Sequence, residues 1–189
     1  RFDVVSGVTA AHTQIRFVFD ENSPLELKSQ TGDETTTTND LVISYEASRP
    51  EGIPYNFALG AVDNYLSVAR AMSGAQRLSE STENATEQYE IAIPDNERVE
   101  LIARGIKQSD EEKFSRFYNT IKPNCTTELF TLIDSLPSQR SKNSEPFLTV
   151  ISNNPIAGPS IEALEQRNLL TKRFANLDDD LSGLFQGSQ

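Results

Sequence analysis

The sequence predicts a single α+β domain. Three observations carry that expectation: period-two patterning dominates the first half of the chain, helical spacing dominates the second, and no segment repeats another. At 189 residues the chain has the size of one ordinary domain. We assign residues 1–189 to it, with a core over about 8–136 and a helical extension over about 138–189.

Residues 8–19 form the first expected strand, with His12, Gln14 and Arg16 on one face and Thr13, Ile15, Phe17 and Phe19 on the other. Residues 20–40 turn polar, with Ser23-Pro24, Gly32-Asp33 and the run Thr35–Thr38; this predicts a solvated loop with a short strand at 25–27. Residues 41–47 predict a second strand, in which Leu41, Ile43, Tyr45 and Ala47 oppose Val42, Ser44 and Glu46. Prolines and Gly52 make 49–54 irregular. Residues 65–72 fit a helical stripe and a strand equally well. Residues 73–87 are polar and read as a loop, after which Tyr89, Ile91 and Ile93 alternate until Pro94 stops the strand.

Helical spacing then takes over. Asp95 is the expected N-cap of a helix carrying Val99, Ile102 and Ile106. Ser109 with Glu112 three residues on is a capping box, and predicts a second helix through Phe114, Phe117 and Tyr118. Pro123-Asn124-Cys125 leads into a third helix with Leu129, Ile133 and Leu136, ended by Pro137. After a polar linker over 138–146, Ser160 is the expected cap of a last helix carrying Ile161, Leu164 and Phe174.

Composition removes several function classes. Twenty-eight acids against 17 bases give a net charge of −11, the wrong sign for a nucleic-acid binder. No apolar run reaches the length of about 18 residues that a membrane span needs. One Cys excludes a disulfide framework and a multi-thiolate zinc site, and one His excludes any site that needs two. Asn176, Asp178 and Asp180 mimic the start of an EF-hand, but Leu181 takes the place of its glycine and Gly187 that of its closing Glu. The chain opens on Arg1 rather than Met, so the lack of a signal peptide carries no weight, and a membrane anchor outside this segment is compatible with the sequence.

Cys125 is the first candidate for chemistry. It follows Asn124 at the expected start of a helix, where unpaired N–H groups and the helix dipole favour a thiolate. A thiolate nucleophile needs a neighbouring base, and His12 is the only imidazole in the chain. A lone Cys is, however, most often a small buried hydrophobe, and a lone His a hydrogen-bonded structural residue. Glu46, with Ser44 on its face, is the candidate third group that would orient the imidazole; the competing role is an ion pair with Arg16 or Arg49.

The order of several motifs points further. Ala11-His12-Thr13 with Arg16-Phe17, then Ile43-Ser44-Tyr45-Glu46-Ala47, then Phe117-Tyr118-Asn119-Thr120 and Asn124-Cys125-Thr126-Thr127 follow one another along the chain. This arrangement resembles the Lnb-type N-terminal periplasmic domain, a bacterial group related to circularly permuted papain-like (NlpC-like) cysteine enzymes. The family pattern reads roughly A-H-T, S-x-E-x-R, F-Y-N-T and N-C-T-T. Ser48 stands where the pattern has Arg, with Arg49 one step later.

The resemblance implies an α+β, permuted papain-like fold, an antiparallel sheet packed against helices, and makes 65–72 a strand. His12 would be the base, Cys125 the nucleophile and Glu46 the acid, with Asn124, Tyr118, Asn119, Ser44 and Arg16 shaping the site. The implied activity is thiol-dependent acyl transfer in the bacterial envelope, without a cofactor, with an acyl donor such as a phospholipid or lipoprotein. The alternatives are an envelope peptidase or amidase and a non-catalytic binding or scaffold domain. The implied location is the periplasm or cell envelope.

Overall fold

The computed structural model describes residues 2–5, 12–29, 31–49, 56–60, 62, 65–80, 86–111, 116–119, 124–140, 161 and 164–174. In chain order the strands are β1 (Phe2–Val5), β2 (His12–Val18), β3 (Leu25–Lys28), β4 (Thr35–Thr38), β5 (Asp40–Ser48), β6 (Tyr65–Met72), β7 (Thr86–Ile91), β8 (Arg116–Tyr118) and β9 (Leu170–Phe174). The helices are α1 (Phe57–Gly60), α2 (Gly74–Glu80), α3 (Asp95–Glu111), α4 (Cys125–Asp134) and α5 (Pro137–Arg140). Seven strands form one antiparallel sheet in the order β8-β6-β5-β2-β1-β7-β9, and β3-β4 is a separate hairpin. The expected α+β class with an antiparallel sheet against helices is what the fold has.

The centre of the sheet is buried on both faces. On one face Ile15, Ile43 and Tyr45 meet Leu101 of α3 and Leu129, Phe130 and Ile133 of α4 in a single apolar cluster. Gly105 lets α3 approach β5, because a methyl group there would stand 2.2 Å from Ile43 Cδ1. The other face is polar yet closed. Gln14, Ser44 and Gln88 are fully buried and Arg16 nearly so. Such a layer is stable only if its polar atoms find partners. Arg16 donates to Asp40 and, at 2.7 Å, to Gln88 Oε1, while Arg77 of α2 donates to Gln14 Oε1 at 2.6 Å.

Several elements differ from expectation. α3 runs straight through Ser109, whose hydroxyl turns back to the Ile106 carbonyl at 2.7 Å and serves the helix interior rather than a new cap. Phe117 and Tyr118 then lie in a strand, not a helix, paired with Leu66 and Tyr65. The run Thr35–Thr38 is a strand rather than a loop, since β-branched threonines suit an extended chain, and Gly32 at φ 78° turns the hairpin. Residues 74–80, expected in a loop, form α2; Ser73 Oγ caps Gln76 N at 3.1 Å, a Ser-x-x-Gln signal. Phe174 closes β9 against β7 and does not continue a helix, and β1 joins the sheet unforeseen. Residues 65–72 are a strand. Ala11, 50–55, Phe114, Thr120, Pro123, the linker past 140, Ser160 and the tail from 175 lie outside the described residues.

Candidate active site

The site is built where α4 begins. Asn124 is its N-cap, in an extended conformation (φ −136°, ψ 179°). Its Oδ1 accepts from Thr127 N at 3.0 Å, and Thr127 Oγ1 accepts from Asn124 N at 2.9 Å, a reciprocal capping box. Both residues are buried, so each bond satisfies a group that water does not reach. Thr13 Oγ1 donates to Thr126 Oγ1 at 3.0 Å and ties the first turn of α4 to the start of β2. Truncating Asn124 to Ala is expected to cost about 1–2 kcal/mol. Thermal denaturation would register this as a drop of roughly 2–4 °C per kcal/mol.

That tie brings Cys125 to His12 across 113 residues of chain. Cys125 is 4% exposed, and burial alone would push its thiol pKa up. The neighbouring His12 charge, a hydrogen bond with the His12 side chain, the Thr13 backbone and the Tyr118 hydroxyl more than reverse this and lower it to about 6. The Tyr118 hydroxyl stands 3.8 Å from Sγ.

A chain of hydrogen bonds leads away from the imidazole. His12 Nε2 lies 2.7 Å from Ser44 Oγ, and Ser44 Oγ donates to Glu46 Oε1 at 3.2 Å. Glu46 therefore addresses the ring through Ser44. Its carboxylate is held by Arg70 of β6 at 2.9 Å on Oε2 and by Arg77 of α2 at 3.3 Å on Oε1.

The structure thus brings His12, Ser44, Glu46, Tyr118, Asn124 and Cys125 together. Asn119, half-buried, follows Tyr118 at the end of β8. Arg16 sits four residues along β2 from His12 and is engaged with Asp40 and Gln88. The competing partner expected for Glu46 was Arg16 or Arg49; its partners are Arg70 and Arg77. Thr13 and Thr126 joined the site unforeseen although both stand inside the motifs, and Arg77 gave no local signal because it arrives from a separate helix. A cavity of about 450 Å³ lies toward the other end of β2, lined by Phe17, Phe19, Ile91, Ile93, Leu101 and Phe174 among others; neither His12 nor Cys125 lines it. Among the described residues no group of three or more His, Cys, Asp or Glu is placed to hold a metal ion.

The family model of the Lnb N-terminal periplasmic domain matches residues 5–154. The chain belongs to that family. All eight site residues expected from the sequence fall inside the matched span, as do Thr13, Thr126, Arg77 and all strands from β2 to β8. Membership supports a periplasmic, envelope-associated protein. Among the described residues of this Lnb-type domain, no helix is long and apolar enough to cross a membrane. Neither the curated proteins nor the solved structures contain a match to the chain.

Proposed function

We propose that this Lnb-type domain performs thiol-dependent acyl transfer in the bacterial envelope, on a permuted papain-like core. The observation that carries the proposal is a buried thiol at the start of α4, hydrogen-bonded to the only imidazole in the chain, an arrangement that lowers its pKa. A structural cysteine in an apolar setting has its pKa raised instead.

With Nε2 engaged by Ser44, Nδ1 of His12 is the nitrogen that takes the thiol proton. The sulfur attacks the carbonyl carbon of an ester, and negative charge develops on the carbonyl oxygen. The Cys125 backbone N–H at the helix start and the Tyr118 hydroxyl, 3.8 Å from Sγ, are the donors we assign to that oxyanion. Collapse of the tetrahedral species breaks the C–O bond, and the imidazolium returns its proton to the leaving alkoxide. The acyl group is then a thioester on Cys125. An amine attacks it, His12 takes the amine proton, and the amide leaves with the thiol restored. The low exposure of Cys125 limits the access of water to the thioester. The donor class we propose is a phospholipid or lipoprotein ester.

Incubation with a p-nitrophenyl fatty acyl ester tests this by intact mass. One acyl group should add to the protein, be released by hydroxylamine, and be absent in Cys125→Ala. Added amine should accelerate its loss more than water does. Faster loss to water than to any amine would assign a hydrolase, and no adduct at all would leave a binding or scaffold domain.

A further inference from the structure

We propose that Arg70 and Arg77 are positioning residues for the His12 base: together they hold Glu46 so that it accepts the Ser44 hydroxyl hydrogen bond, which places the imidazole proton on Nε2 and leaves Nδ1 unprotonated. The inference rests on the Cys–His reading above and adds to it the tautomer and the residues that select it.

A carboxylate accepts and cannot donate, and a serine hydroxyl has one proton to give. Ser44 donates that proton to Glu46 Oε1 at 3.2 Å. It can then offer only a lone pair to His12 Nε2, 2.7 Å away, so Nε2 must bear the hydrogen. A neutral imidazole has one N–H, and Nδ1 is therefore the free base that a thiol proton requires. The direction of a single hydroxyl proton decides whether His12 is poised or blocked.

That direction depends on where Glu46 sits. Its side chain is 23% exposed near the end of β5, and alone it has rotamers that turn to solvent. Two guanidinium groups prevent this from opposite sides. Arg70 lies directly across β6 from Ser44 in the strand register and holds Oε2. Arg77 reaches over from α2 to Oε1 and is itself anchored on the buried Gln14. Arg70 is anchored in turn by a two-pronged contact with Glu80, 2.8 Å at each arm, and these bonds hold the Glu80 carboxyl below the usual carboxylate range. Among the described residues, the charged groups facing Glu46 are thus Arg70 and Arg77, with Glu80 behind Arg70 and His12 beyond Ser44.

The chain contains one His, so an untagged, nitrogen-15-labelled protein gives a single imidazole spectrum. In a Cys125→Ser background, at a pH high enough that the ring resonances no longer move with pH, Nε2 should carry the proton with a preference of about tenfold, the worth of one net hydrogen bond. Glu46→Gln can donate an amide hydrogen to Ser44 and should reverse that preference. Arg70→Gln with Arg77→Gln should bring the two tautomers near parity, and so should each single variant in part if the pair folds poorly. The corresponding Lys variants, which keep a charged donor, should retain more of the preference. An Nδ1–H tautomer in the background protein, or an unchanged tautomer ratio in every Arg variant, overturns the proposal. If Cys125 of the unaltered protein keeps its low-pH reactivity in that event, the Cys–His reading survives; if that reactivity is missing at the outset, the reading itself has failed.

Discussion

Alkylation of Cys125 in the native protein is expected to stay near its plateau rate down to about pH 7, to reach half of it at about pH 6 and to fall steeply below that. An ordinary thiol instead loses tenfold per pH unit below about 8.5. The sign follows from a lowered thiol pKa: the reactive thiolate persists as pH falls toward that value. Position matters more than speed here. A low-pKa thiolate is also a weaker nucleophile, which offsets much of its greater abundance at neutral pH. The inflection is therefore the diagnostic, read from iodoacetamide rates across pH with the labelled residue identified by mass. His12→Ala removes the two largest interactions that oppose burial and leaves those of the Thr13 backbone and the Tyr118 hydroxyl, so the inflection should climb to the ordinary thiol value or beyond. At pH 7 the thiolate fraction should then drop at least roughly thirtyfold. Circular dichroism on the same samples separates this from unfolding. An inflection near 8.5 in the native protein, unmoved by His12→Ala, would mean that the pair does not function as one.

The parts of this site that could be seen in the sequence are those set by local physics. The alternation of β2 and β5 fixed which residues share a face with His12, and Asn124 before an apolar period marked the start of α4. The meeting of Cys125 with His12 had no such local sign; elimination, since the chain has one imidazole, and the order of motifs pointed to it. What sequence patterns hid was burial of polar groups. The face with Gln14 and Arg16 looks solvated, yet α2 covers part of it through guanidinium contacts rather than an apolar stripe. A helix that docks in this way has no hydrophobic period to detect, which is why 73–87 read as a loop. β8 is hidden for a different reason: three residues are too few to display alternation, and its partner β6 lies about fifty residues upstream. The same holds for β9, where long-range pairing with β7 overrode the helical spacing that placed Phe174 after Leu164.

Arg16 is where that hidden polar layer makes its largest energetic claim. Its side chain is 4% exposed and its ionic partner Asp40 is 14% exposed. Replacing Arg16 with Met leaves the Asp40 charge largely shielded from water and removes the donor that Gln88 Oε1 uses. Stranding one half of a buried pair costs about 3–5 kcal/mol, far more than the pair contributes over a well-packed apolar substitute. For a chain of this size the melting temperature should fall by roughly 10 °C. Asp40→Leu added to Arg16→Met removes the stranded charge and should recover part of the loss. Throughout, the pH inflection of Cys125 alkylation should stay in place, because the polar chain from His12 runs through Ser44 and Glu46 and not through Arg16. That combination separates a residue that supports the sheet from one that shapes the site. Arg16→Met with unchanged melting and a displaced Cys125 inflection would return Arg16 to the site and break the division between the two polar networks.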